Sequence, residues 1–216
     1  MRGRDAYIVL RNTVRVLRDS NRLDDILEVG EVMGRAAMER AAQQLQGIEE
    51  GRRLLADRPE LNSTHVDMDT LATLPQGTVG RLYADHIARY QLDIDALNVP
   101  APTDQDSDER YLLRRYRGNH DIWHTMLGLG TEGHEEVLVH AFTYGQLRFP
   151  ISTLIMLFGT LKHIVLEGRW DVLRYEIRRT YELGRACDPL LAVYWEEQWE
   201  TPVDDLRARV GLPVGA

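Results

Sequence analysis

Apolar residues recur three and four positions apart along most of this chain, while period-two alternation is rare. That pattern predicts helices and argues against strands. The spacing predicts helices over residues 5–18 and 23–56, the second interrupted by Gly30, Gly34, Gly47 and Gly51. RPELNSTHVDMDTLATLPQGTVG then reads as an ordered loop holding a short helix, capped by Asp67 or Asp69 and ended by Pro75 and Gly77. A helix follows over 78–92, and NVPAPTDQDSDE, residues 98–109, is the linker candidate. The next helix starts near Ser107 or Asp108 and runs to LGLG, where Gly128 or Gly130 can take the left-handed stop conformation. Further helices are expected over 134–148, 151–167, 169–186 and 190–209. Their short connections favour an all-α fold, one compact multi-helix domain across residues 1–216 with N-terminal helices in 1–50.

Composition narrows the function classes. With 44% hydrophobic and 28% charged residues, the chain is not wholly disordered. A formal net charge of -8 argues against a protein that mainly grips nucleic acid. The start, MRGRDAYIVLRNTVRVLRDS, is too charged for a secretory signal. It is basic and partly amphipathic, so it reads either as a membrane-surface arm or, the favoured reading, as a helix packed on the domain. The single cysteine, Cys187, excludes an intrachain disulfide and fits a reducing cytosol. A buried thiol is favoured there over a nucleophile, because no activating partner stands near it in sequence. The most apolar run, ISTLIMLFGTLKHIVLEG at 151–168, is shorter than the ~20 apolar residues a span needs, and Lys162 and His163 interrupt it. A helix apolar on nearly every side is deeply buried or lines a greasy cavity.

The densest chemistry lies in NHDIWHTMLGLGTEGHEEVLVHAF, residues 119–142. His120 and His124 fall one turn apart on the same helix face, and Asp121 is three residues from His124. Imidazole nitrogen and carboxylate oxygen together suit zinc, iron, manganese or similar divalent ions. The glycines after His124 allow a reversal, so the next helix can return Glu136 to the same point, with the metal site between two adjacent helices. Such a set leaves a coordination position for water or substrate. Against this stands the plainer reading that each histidine hydrogen-bonds a neighbouring carboxylate. The unit is not HExxH, since aspartate is one methylene shorter than that motif's glutamate. His140, one turn beyond Glu136, is a candidate further ligand, and His134 is expected to face solvent. Arg117 lies one turn before Asp121, where it either binds a substrate carboxylate or phosphate or orients Asp121.

These residues resemble the coenzyme Q biosynthesis protein 4 family. The resemblance rests on HDIWHTMLG with Glu136 at the family's spacing, supported by RPELNS at 58–63, LPQGTVGRLY at 74–83, RRYRGNHD at 114–121 and YWEEQWETPVDDLRARVGL at 194–212. It covers a family-like core over about residues 52–212. It implies an all-helical protein holding a metal, usually zinc, through His120, Asp121, His124 and Glu136, with iron or magnesium as alternatives. It implies a role in ubiquinone formation, as a carbon–carbon lyase removing the ring carboxylate of a polyprenylated 4-hydroxy-3-methoxybenzoate. The alternative is a prenyl-lipid-binding organiser of a quinone-forming enzyme complex with a structural metal. A divergent metal hydrolase is a weaker third reading of the HDxxH unit alone. The chain departs from the family pattern at Glu135, His140 and Thr143, which alters the charge beside the site.

On this reading Arg117, Asp121 and His124 are the catalytic candidates. A phenol para to the carboxylate pushes electrons toward the carbon that loses carbon dioxide, which is then protonated or oxygenated. An oxidative step would favour iron over redox-silent zinc. Leu154, Leu157, Phe158 and Leu161 are the candidates for a tunnel wall around the prenyl tail. The expected partners are a polyprenylated aromatic acid or other prenyl lipid, other quinone-biosynthesis proteins, peripheral membrane contact and a second copy in a homodimer, with no nucleic acid. The expected location is cytoplasmic, at the inner face of the membrane.

Overall fold

Polar caps and glycine stops set the ends of the helices that hydrophobic spacing builds. The structure, a computed structural model, describes residues 3–18, 22–97, 107–167 and 170–215, without side chains at 17–18, 23, 161–167 and 170–172. The elements are α1 (Gly3–Arg18), α2 (Leu23–Gln46), α3 (Glu49–Asp57), α4 (Met68–Leu71), α5 (Val79–Tyr90), α6 (Asp108–Leu127), α7 (Gly133–Leu147), α8 (Pro150–Glu167), α9 (Trp170–Ala186) and α10 (Val203–Val210). Among the described residues there is no named strand, only an isolated bridge between Thr78 and Pro202. The chain is one compact all-α domain. The expected linker at 98–109 lies outside the described residues as far as residue 106.

Several ends follow the sequence directly. The Asp67 side chain accepts from the Asp69 and Thr70 amides, Thr78 from Arg81, and Ser107 from Arg110, each satisfying an N–H group that a first turn leaves open. Gly128, with φ 67°, ends α6 in the left-handed conformation.

Two expectations are corrected. The helix expected over 23–56 divides at Gly47 into α2 and α3, yet α2 runs unbroken through Gly30 and Gly34. Gly34 fits in mid-helix where a larger residue would not, because a Cβ there would run into the Phe149 ring. The helix expected over 190–209 is two short 3-10 turns, Leu190–Ala192 and Trp195–Glu197, followed by α10. Its carbonyls are needed elsewhere. Trp199 and Thr201 accept from the Gly80 and Val79 amides at 2.9 and 3.0 Å, which satisfies the start of α5. Val193 accepts from Arg115 at 3.1 Å. Pro202 adds a bias to extended backbone at Thr201.

Helix α6 is the centre of the domain and is buried on most sides from Tyr111 to Met126. It packs against α2, α5 and the 3-10 turn at Leu190–Ala192, while α7 lies against α8 and α9. The α7–α9 crossing is close because Gly145 and Gly184 face the opposing backbones. Trp123, Trp195, Tyr83 and Phe142 are fully buried, and sheltering an aromatic side chain of this size contributes about 3 kcal/mol. Arg115 locks α6 to the chain around it, donating to the Pro59 and Val193 carbonyls and to Glu196. Helix α1 packs on α2, where buried Asn12 bonds Glu28, and it turns Tyr7, Leu10 and Val14 outward. Among the described residues no helix is long and apolar enough to cross a membrane.

Candidate metal centre

The last two turns of α6 carry His120 and His124, and the reversal after Gly128 brings α7 back beside them. In that reversal the Leu129 amide bonds the His124 carbonyl at 3.0 Å. Helix α7 opens with a capping box in which Glu132 and Glu135 satisfy one another's backbone. Glu135 also accepts from the Gly130 amide at 2.8 Å, fixing the loop whose Gly130 carbonyl lies 2.8 Å from His124 Nδ1. A carbonyl can only accept, so Nδ1 carries a proton and Nε2 is the nitrogen turned to the site, able to donate to Glu136 when it is protonated and to offer an ion its lone pair when it is not.

That nitrogen meets two other ligand atoms. His124 Nε2 lies 3.3 Å from His120 Nε2 and 3.3 Å from Glu136 Oε1, and His120 Nε2 lies 3.5 Å from Glu136 Oε2. Four ligands at ~2.0–2.1 Å around a tetrahedral ion stand about 3.3 Å apart. The donor types and their spacing therefore fit a divalent ion of the zinc class, with three protein ligands and a position left over. His124 is fully buried, and Glu136 is half-buried in the first turn of α7. Burial alone would raise the Glu136 carboxyl, but hydrogen bonds and charge from His120 and His124 hold it well below the usual carboxylate range. Burial would lower His120, and Glu136 overrides it to raise that imidazole instead.

The other candidate residues are placed differently. Asp121 is half-buried beside the cluster, its carboxyl raised by burial, but it is not among the three residues whose ligand atoms converge. Arg117 is buried and turned toward α2, where Nη2 donates to the Leu27 carbonyl at 2.9 Å. His134 is half-buried against Glu132 rather than open to solvent. His140 is buried with its ring 5.6 Å from that of His120, and its Nδ1 lies 3.3 Å from Ser152 Oγ on α8. On α8, Leu154 and Phe158 are half-buried and Leu157 is 60% exposed, so Leu157 does not wall an enclosed tunnel here. The Leu161 side chain lies outside the described residues.

His86 is the residue that sequence reasoning missed. It projects from α5 with its ring 5.7 Å from His124 and 4.9 Å from Tyr90. Burial pushes its imidazole down to about 4, and the charge of His124 adds to the effect. No spacing rule connects a single histidine on α5 to a motif on α6, so only the helix packing reveals it.

Comparison with known proteins supplies the family context. The model of the coenzyme Q (ubiquinone) biosynthesis protein Coq4 family matches residues 3–214. The ubiquinone biosynthesis protein COQ4, mitochondrial, of Coprinopsis cinerea is 30% identical over 196 residues, which are 91% of this chain and 67% of that protein. The Bos taurus homologue of the same name is 30% identical over 91% of this chain and 73% of its own length. The crystal structure of a protein from Nostoc punctiforme PCC 73102, named for ubiquinone biosynthesis, superposes with a TM-score of 0.75 at 26% identity, covering 94% of this chain and 96% of that one.

Proposed function

This chain belongs to the coenzyme Q (ubiquinone) biosynthesis protein Coq4 family, and from that premise we propose that it is a metal-dependent lyase in ubiquinone biosynthesis. The proposed reaction removes the ring carboxylate of a polyprenylated 4-hydroxy-3-methoxybenzoate. The observation that carries the proposal is the convergence of His120, His124 and Glu136, whose ligand atoms stand 3.3–3.5 Å apart. Three protein ligands leave a position for a substrate oxygen, whereas a purely structural ion is usually closed by four.

A zinc-class ion held there would supply Lewis-acid polarisation of the substrate carboxylate. The residues do the rest. Gly130 keeps His124 oriented, and Glu136 would offset the charge of an ion held there. The bond between ring and carboxylate carbons breaks, its electron pair stays on the ring carbon, and a proton takes the place of carbon dioxide. Asp121, whose carboxyl burial raises and on which the charges of His120, His124 and Glu136 act, is the group proposed to hand that proton over. Arg117 takes no part in this scheme, because its guanidinium serves the Leu27 carbonyl.

The prenyl tail is proposed to lie along the α8 face at Leu154, Leu157 and Phe158. The outward residues of α1, Tyr7 at 63% and Leu10 at 67% exposure beside Arg4 and Arg11, support peripheral contact with the inner face of a membrane. Other quinone-forming proteins and a second copy of the chain complete the proposed partners. The test is incubation of zinc-loaded protein with the prenylated acid. Appearance of the decarboxylated phenol supports the lyase, and recovery of the acid bound but unchanged would favour the organiser with a structural metal.

A further inference from the structure

Four imidazoles stand in a row across the site. Ring centroids are 5.7 Å apart from His86 to His124, 4.9 Å from His124 to His120, and 5.6 Å from His120 to His140. The middle pair face Glu136, His124 is tied by Gly130, and His140 has Ser152. His86 differs from these three. It is 9% exposed, and its Nε2 is buried with no hydrogen-bond partner among the described residues. A buried nitrogen left unmet is destabilising, so its place beside the cluster calls for a partner from outside the described residues. The charges that bear on it belong to the site: His124, Glu135, Glu136 and His120.

We propose that His86 is a ligand-binding residue of this site, using Nε2 to hydrogen-bond the oxygen of a carboxylate that enters the position left by His120, His124 and Glu136. The inference rests on the metal reading above and deepens it by adding a residue on α5 to the recognition of the acid. His86 is not one of the converging ligands, so metal uptake is expected not to depend on it. Its role is to choose among anions. A carboxylate has a second oxygen to offer the imidazole after the first is engaged.

The test uses the full chain loaded with cobalt(II), whose visible spectrum reports exogenous ligands without any turnover, and benzoate as the probe. His86→Phe keeps a ring against His124 and removes the nitrogen, while His86→Gln restores a hydrogen-bonding group. The expected result is cobalt stoichiometry and a probe-free spectrum equal to wild type in both variants. Benzoate affinity is expected to fall roughly tenfold or more in His86→Phe, the loss that a charge-assisted hydrogen bond implies, and to recover in part in His86→Gln. Wild-type benzoate affinity in His86→Phe would overturn the inference, leaving His86 as a core histidine met by water, with the metal reading intact. Failure of the wild type to take up cobalt would overturn both.

Discussion

Three ligand atoms on His120, His124 and Glu136, the second fully buried, stand 3.3–3.5 Å apart, the spacing that ligands of one proposed ion would have. Replacing both His120 and His124 with alanine is expected to remove about one equivalent of divalent metal per chain, read by elemental analysis after dialysis. Retention of wild-type metal in that double variant would refute the site. Glu136→Gln should weaken binding less, because an amide oxygen still coordinates. The approach of Glu136 to His120 and His124 was legible in the sequence, since same-face spacing at i and i+4 and a glycine reversal are local rules. Asp121 was not separable from its neighbours by those rules, and His86 was invisible to them. Cys187 makes a different prediction. Its thiol is 8% exposed and pushed up by burial to about 12, so at pH 8 the thiolate is scarce in the folded protein. A disulfide reagent should label it slowly in native protein and rapidly in denaturant, and fast native labelling would mean the thiol is open.

Helix ends that depend on nearby residues were legible, and those set by distant partners were not. Asp67, Ser107 and Gly128 act within a few positions of the ends they set. The segment after Leu190 obeys α5 and Arg115 instead, which lie far away in sequence, so its apolar spacing misled. Glu135 is the element-scale residue with a consequence for the site. It accepts from the Gly130 and Glu132 amides and so fixes both the start of α7 and the carbonyl that orients His124. Glu135→Ala is expected to cost about 1 kcal/mol of stability in a denaturant titration, the usual worth of a helix cap. It should also weaken metal binding roughly tenfold or more through lost orientation of the ligand. Lost stability with unchanged metal affinity would separate the cap from the site. At the α7–α9 crossing, Gly184→Ala would press a methyl group into the Phe142 carbonyl. A loss of about 2 kcal/mol or more in the same titration is expected, and a neutral outcome would show that the two helices can move apart.

At the scale of the whole molecule, the proposed substrate requires a place for a long prenyl tail beside a ring held between α6 and α7. Each Å² of tail left in water costs ~25 cal/mol, so a chain that handles such a ring must cover the tail or hand it to a bilayer. An internal tunnel lined by residues 151–166 was the expectation, since the family resemblance implies a prenyl tail and that run is apolar on nearly every side. The structure turns Leu157 outward at 60% exposure while Leu154 and Phe158 are half-buried, which makes the described part of this face, Leu154 to Phe158, partly open. A tail lying on that face would touch Leu157 from outside. Two substitutions distinguish the routes. Leu157→Trp adds apolar surface to an open wall and is expected to leave long-tailed ligands bound as tightly or more so, whereas in a sealed tunnel it would exclude them. Leu157→Glu places a charge where the tail would rest, and should weaken a long-tailed ligand by several-fold while leaving a short-tailed analogue and the metal content unchanged. The measurement is the ratio of long-tail to short-tail affinity in each variant. A ratio unaffected by either change would move the tail off α8 altogether, and the outward face of α1, with Tyr7 and Leu10 exposed, would then be the place to test next for contact with a bilayer that holds the tail itself.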